Sequence, residues 1–339
     1  MNPLPGVSIV VIGRNEGDRL TRCLASVQAA SRQLGNVELI YVDSGSTDDS
    51  LRVARAHGAL TLMLRDGQPS AAAARNLGWQ AASWPFVMFL DGDTILDPGF
   101  LPAALAEMRQ EDVAVVWGHR RELQPMQSVY VRVLDLDWIY AAGDTAFCGG
   151  DALMRLDVLA AVGGFDATLI AGEEPELCSR IRAAGGLIRH VDLAMTLHDL
   201  AITTAKAWWQ RAFRAGFAYA AVAARLAGRG DQLWQDELYR TRRDAVLVLL
   251  LALLPVPLLL VSPWPVLTLT ALLTMPLLLV LRSAARARWK SPDLGTRLLY
   301  AVHSHLQKLP ILLGQIAYAR DAAAGRARAV IDYKKVQPR

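Results

Sequence analysis

From Val7 to Ile12 the chain is a short, apolar, β-branched run, and Gly13-Arg14-Asn15-Glu16-Gly17 breaks it into a loop. Beyond it, Leu20, Leu24, Val27 and Leu34 fall on one face of a helix spanning Arg19 to Leu34. A second apolar run, Val37 to Val42, passes into Asp43 to Asp49 (DSGSTDD), which is rich in turn formers and N-capping residues. The pattern repeats with a helix from Ser50 to about His57, a strand from Leu60 to Leu64, a helix from Ala71 to Ser83 and a strand from Phe86 to Leu90. Alternation of strand and helix through short loops predicts an α/β fold, Rossmann-like, with a mostly parallel sheet flanked by helices. Its ligand site should lie at the carboxyl ends of the strands, where the loops beginning at Gly13, Asp43 and Asp91 meet.

The pattern changes after residue 244. The 37 residues from Ala245 to Leu281 carry no charge, and as one helix they would span roughly 55 Å against a hydrocarbon core of roughly 30 Å. Pro255, Pro257, Pro263 and Pro265 punctuate the middle, which predicts two short transmembrane helices joined near Ser262-Pro263-Trp264-Pro265. Arg240, Arg242 and Arg243 flank one end and Arg282, Arg286, Arg288 and Lys290 the other, so both ends are expected in the cytoplasm. Further on, Leu298, Leu299, Val302, Leu306, Leu309, Leu313 and Ile316 recur at helical spacing. They predict an amphipathic helix kinked near Pro310, suited either to a membrane interface or to packing against the α/β part. The tail from Arg320 onward is basic.

Composition agrees with this division. Among 339 residues, 53% are hydrophobic and mean hydropathy is +0.24, high for a wholly soluble enzyme. The net charge is only +4, and the basic residues gather around the apolar segment. That favours anionic lipid headgroups over nucleic acid, for which there is no motif. Cys23, Cys148 and Cys178 have no metal-ligand spacing and fit reduced thiols in a cytoplasmic domain. Met1 leads almost directly into a strand, without a basic and apolar signal sequence.

The candidate chemistry starts at the end of the fourth strand, where Asp91 and Asp93 stand one residue apart. Oxygen ligands at a strand's carboxyl end suit a hard divalent cation bridging a diphosphate, although the same pair suits a turn before Pro98. Seven segments in order turn this into a stronger signal: Val7 to Glu16 (VSIVVIGRNE), Val42 to Asp48 (VDSGSTD), Ala74 to Gly78 (ARNLG), Leu90 to Asp93 (LDGD), Phe147 to Gly150 (FCGG), Val162 to Asp166 (VGGFD) and Gly172 to Leu177 (GEEPEL). Over roughly the first 215 residues their order and spacing resemble those of the family 2 glycosyltransferases with the GT-A fold, in particular membrane-associated bacterial types.

The resemblance together with the apolar pattern gives an expected catalytic domain over residues 1–230, followed by a membrane region over 231–339, with a transmembrane hairpin at about 245–281 and an amphipathic helix at about 295–319. The resemblance itself implies transfer of a sugar from a nucleotide-sugar donor with inversion at the anomeric carbon. A divalent metal, Mg²⁺ or Mn²⁺, would be held by Asp93, with Asp91 and with His198 completing the shell; His198 would equally suit a hydrogen-bonded loop. Asn15, Glu16, Asp43, Arg75, Asp91, Gly149 and Gly150 would line the donor site. Ser44 stands where many relatives have a second aspartate, so base preference is not legible. The base for the acceptor hydroxyl would be Glu174, with Glu173 as second candidate, since a Glu-Glu pair replaces the family's Glu-Asp. Pro175 suits the first turn of the helix they open. Trp208 to Arg214 is reminiscent of the Gln/Arg/Trp helix of processive synthases, and fits an interfacial helix as well. The expected enzyme faces the cytoplasm from the inner membrane and glycosylates a lipid-linked or glycan acceptor. Two rivals stand beside it: a polyprenyl-phosphate sugar synthase and a non-catalytic nucleotide-sugar-binding membrane protein.

Overall fold

The computed structural model describes residues 5–64, 70–169 and 171–326. The first four residues and the basic tail beyond Arg326 lie outside the described residues. The chain runs β1 (Val7–Gly13), α1 (Asp18–Leu34), β2 (Val37–Asp43), α2 (Ser50–Ala56), β3 (Leu60–Met63), α3 (Ala71–Gln80), β4 (Phe86–Asp91), β5 (Thr94–Leu96), α4 (Phe100–Glu107) and β6 (Val113–Glu122). It continues through α5 (Val129–Leu134), β7 (Gly143–Asp144), β8 (Ala152–Arg155), α6 (Leu156–Ala161), α7 (Glu173–Ala183) and β9 (Leu187–His198). Six helices follow: α8 (Ala205–Ala227), α9 (Gln235–Leu253), α10 (Pro255–Val261), α11 (Pro265–Arg286), α12 (Leu294–Leu306) and α13 (Lys308–Ala323).

The sheet is mixed, in the order β3-β2-β1-β4-β8-β6-β9-β5, with β7 paired to β9. Its first four strands are parallel, as the alternating pattern predicts. The second half departs from that pattern, because β8 enters antiparallel between β4 and β6, and β5 and β7 run antiparallel to β9. The result is the GT-A architecture that the motif order implied. The core is the sheet itself, with Val7, Ile9, Val10, Val11, Met88 and Phe89 fully buried, and the predicted face of α1 closes over it.

The C-terminal helices divide into packed and bare. The break in the predicted amphipathic helix falls at Gln307, between α12 and α13, and Pro310 sits in the first turn of α13, where a missing N–H is harmless. Gly216 of α8 and Gly314 of α13 let the two helices cross closely: a Cβ on Gly216 would run into the Ile311 backbone, and one on Gly314 into that of Phe213. This is the packing face the pattern allowed. Gly216→Ala is expected to cost about 1–3 kcal/mol through overpacking. Gly314→Ala should add less than its single-site cost to that variant, because both act at one crossing; thermal denaturation of both and of the double variant checks this.

The uncharged stretch forms the second half of α9, then α10 and α11, and is bare: Leu260, Val261 and Val266 are 77% exposed or more, and Trp264 is 70% exposed. Among the described residues, the helix from Pro265 to Trp289 alone is long and apolar enough to cross a membrane, and none of its apolar window is buried.

Candidate active site

Three parallel strands bring the three loops together. Gly13 pairs with Asp43 and Ile12 with Asp91, while the amides of Ser44 and Gly92 donate to the carbonyls of Gly13 and Ile12 at 3.0 and 2.8 Å. Asn15 staples the first two loops: it takes a positive φ of 55°, which asparagine tolerates, and its Oδ1 accepts from the Thr47 amide at 2.7 Å. Glu16 packs its methylenes between Gly13 and Gly92 and pairs with Arg19 at 3.0 Å. Asp43 is wholly buried; Tyr41 and the amides of Gly45 and Ser46 donate to it, so it organises its own loop.

The next motifs meet through Asn76. Its amide nitrogen donates to the Phe165 carbonyl at 2.7 Å, and its oxygen accepts from the Phe165 amide at 2.8 Å. That exchange fixes α3 against the Val162-Gly163-Gly164 turn, which Arg180 of α7 also grips through the carbonyls of Val162 and Gly164. Arg75 is thereby held opposite the start of α7.

Arg75, with a side chain 2% exposed, lies 2.9 Å from both Glu173 and Glu174 and 3.0 Å from Asp91. Burial alone would lower its pKa, but the charges of Glu174, Asp91 and Glu173 hold it above its ordinary value. Burial, followed by the negative charge of Glu173, pushes Glu174 up to about 7, against the opposing effects of Arg75 and of the backbone amide that opens the helix. A carboxylate titrating there is suited to accept a proton near neutrality. Gly150 lines the same spot: a Cβ there would stand 2.5 Å from Arg75 Nη2 and 3.2 Å from Glu174 Oε1. Gly149 lies beside Trp138.

Asp91 turns its carboxylate to two arginines, Arg75 and, at 3.4 Å, Arg120. Arg120 also lies 3.4 Å from Asp151, which is fully buried and accepts from the Asp91 amide and the Thr196 hydroxyl. Burial raises the Asp151 pKa and the Asp91 charge adds to it, opposed by Arg120.

The third cluster is Asp93, His198 and Glu122, all buried. His198 Nε2 faces Asp93 Oδ2 at 3.5 Å, while Nδ1 is bonded to Glu122 Oε1 at 2.8 Å. Among the described residues no three acidic, histidine or cysteine side chains enclose an ion by themselves. The donor set nevertheless fits Mg²⁺ or Mn²⁺, which accept one or two protein ligands when phosphate oxygens complete the shell.

The structure thus gathers Arg75, Glu173, Glu174 and Asp91 in one cluster, with Gly150 beside it, and Asp93 and His198 in another. Asn15, Glu16 and Asp43 build the adjoining loops, while Trp208 packs instead against His303. Arg120, Glu122, Asp151 and Trp138 join these groups without having been singled out. Their signal was faint: Arg120 and Glu122 alternate on one face at the end of β6, and Asp151 follows Gly149-Gly150.

The fold and cleft define an α/β protein with the GT-A architecture, its acidic site at the carboxyl ends of the parallel strands. Residues 8–155 match the family model for glycosyl transferase family 2. Among curated proteins it is similar to the pre-mycofactocin glycosyltransferase of Mycobacterium tuberculosis, 28% identical over 209 residues, covering 57% of this chain and 42% of that protein. It is also similar to glycosyltransferase AglE of Haloferax volcanii, 30% identical over 120 residues, 34% of this chain and 40% of that one. The matches thus span about two-fifths of the relatives' lengths. In fold it resembles the mannosyltransferase PcManGT of Pyrobaculum calidifontis, solved with GDP-Man and Mn²⁺, with a TM-score of 0.59 at 17% identity, over 94% of this chain and 88% of that one.

Proposed function

We propose that this chain transfers a sugar, with inversion, from a nucleotide-sugar donor to a lipid-linked or other membrane-associated acceptor in cell-surface polysaccharide or glycolipid assembly. The observation that carries the reading is the convergence of Glu174, Glu173, Arg75 and Asp91, with Glu174 poised near neutrality. The acceptor hydroxyl oxygen attacks the anomeric carbon as its proton passes to Glu174. The new C–O bond forms while the bond to the diphosphate breaks, and the electron pair leaves with the nucleotide. One displacement from the face opposite the leaving group inverts the centre.

Asp93 and His198 would hold a divalent cation, with Asp91 in the same cleft, and the cation would supply Lewis-acid stabilisation to the departing diphosphate. Arg75 and Arg120 bring fixed positive charge to the same edge of the sheet, where the donor's phosphates would lie. Asn15, Glu16, Asp43, Gly149 and Gly150 shape the loops around the nucleotide sugar.

Support for a membrane acceptor comes from the bare apolar helices α10 and α11 with arginines at their base. A hairpin over about 245–281 would anchor residues 1–230 on the cytoplasmic face of the inner membrane. There the acceptor diffuses in the same plane as the site.

The test is incubation of membranes containing the protein with a panel of labelled nucleotide sugars, GDP-mannose and UDP-sugars first, followed by lipid extraction. One label should enter the lipid fraction, and Asp93→Ala should lower transfer roughly a hundredfold or more. Donor binding with neither hydrolysis nor transfer for any sugar would overturn the reading in favour of a non-catalytic binder.

A further inference from the structure

Glu122 has a wholly buried side chain at the end of β6, yet no arginine or lysine is ion-paired with it among the described residues. Arg121, next to it in the strand, turns to Asp135, and Arg120, on its own face, lies within ion-pair distance of Asp91 and Asp151. A buried carboxylate needs compensation from hydrogen bonds and from positive charge. Glu122 Oε2 accepts from the Leu200 amide at 3.1 Å, and Oε1 meets His198 Nδ1 at 2.8 Å. With both oxygens acting as acceptors, Nδ1 is the donor in the second bond. That leaves Nε2, on the far side of the ring, directed at Asp93 Oδ2, 3.5 Å away.

The geometry does not depend on a loose loop. Glu122 and His198 are partners in the parallel β6–β9 register, and the Leu123 amide donates to the His198 carbonyl at 2.8 Å. The ring is therefore set by two paired strands, and the side opposite Glu122 opens onto the carboxylate of Asp93.

We infer that Glu122 is a positioning residue, which fixes the ring and tautomer of His198 so that Nε2 is presented, together with Asp93, to a divalent cation. The inference rests on the cation-assisted reading above and adds to it a residue that touches neither cation nor donor. Its chemistry follows from the pairing: a carboxylate on the remote nitrogen raises the basicity of the ligating one and holds the ring in plane. A cation on Nε2 would in turn add positive charge beside the buried Glu122, to which Arg120 contributes only at longer range.

The experiment is titration of the purified full chain with Mn²⁺ in the presence of UDP and, separately, GDP. Free Mn²⁺ is followed by electron paramagnetic resonance, and pulsed measurements detect nitrogen bound to the ion. Wild type should show nitrogen coupling that His198→Ala removes. Glu122→Gln should weaken Mn²⁺ binding by about ten- to a hundredfold, with a reduced nitrogen coupling and an unfolding temperature near that of wild type. Glu122→Asp, whose carboxylate falls short of Nδ1 by a methylene, should be intermediate and covers the case in which the glutamine variant does not fold. Wild-type nitrogen coupling with unchanged affinity and coupling in both Glu122 variants would overturn the inference alone. Absence of nitrogen coupling in wild type would overturn the assignment of His198 as a ligand, and the inference with it.

Discussion

Arg75→Met is expected to destabilise the folded chain by about 3–5 kcal/mol, the usual cost of stripping a buried charge cluster of one partner. The guanidinium is the shared counter-ion of Glu173, Glu174 and Asp91, and methionine fills much of its volume while leaving three carboxylates facing one another. The cost should depend on pH, with a definite sign. Glu174 in the intact protein already titrates at about 7 instead of 4.5, from burial and then from Glu173, with Arg75 pulling the other way. A carboxyl whose pKa is raised by folding stabilises the folded state most when protonated, below its unfolded pKa, and that contribution is lost as pH rises through the folded value. Removing Arg75 takes away the charge that holds Glu174 down, so its pKa rises further. The variant should therefore lie closest to wild type near pH 4.5 and fall away steadily past pH 7. Denaturant unfolding in detergent at several pH values measures this. A deficit that is flat with pH, or that grows toward acid, would mean that Arg75 acts there by packing and not by charge. Arg75→Lys should recover only part of the loss, because one ammonium cannot reproduce the guanidinium's fork toward several carboxylates.

Arg75 could be singled out because the Ala74 to Gly78 segment resembles the family's, whereas Arg120 lies in no such segment and its place depends on long-range pairing. The parallel half of the sheet is encoded locally. β-branched runs end in turn formers, helices carry an apolar stripe, and the loops after Gly13, Asp43 and Asp91 must then emerge side by side. Leu20, Leu24 and Val27 are 1% exposed or less, as their spacing requires. The other half depends on pairings that no local pattern specifies. Insertion of β8 antiparallel between β4 and β6 is what buries Asp151 and sets Arg120 against it. In the sequence, His119-Arg120-Arg121-Glu122 reads as a solvated strand end. Only the two-residue period of a strand separates Arg120 and Glu122, on the cleft side, from His119 and Arg121, which pair with Asp192 and Asp135. Asp91 shows the opposite limit. Its place in the cleft was legible, but its engagement by two arginines required the fold.

The apolar segment was legible by composition and only partly by geometry. Lack of charge and the four prolines placed the joint near Ser262 to Pro265, where α10 ends and α11 begins. The relation of that segment to the catalytic part was not legible, because it runs through the glycine crossing of α8 and α13. A helix docked by backbone approach leaves little hydrophobic signature. At that crossing α13 packs on α8, the helix that follows β9.

Glu174→Gln is expected to lower kcat by about 10²–10⁴-fold, the contribution of a positioned general base, while leaving donor binding nearly unchanged. Gln keeps the volume beside Arg75 and Gly150 and removes only the capacity to take a proton. In the wild type the ionised form is the active one, so kcat/KM should rise about tenfold per pH unit below about 7 and level off above it. The residual activity of the variant should lose that limb and run flat through the same range. The comparison also decides the nature of the acceptor. A phosphate oxygen arrives already ionised and has no proton to surrender, so an acceptor of that kind would leave Glu174→Gln close to wild type at every pH. Glu173→Gln provides the internal control. Glu173 bonds Arg75 at 2.9 Å and its charge raises the Glu174 pKa, so its neutralisation should shift the ascending limb toward lower pH without removing it. If Glu173→Gln abolishes the limb and Glu174→Gln only moves it, the two glutamates exchange roles and the proton passes to the first.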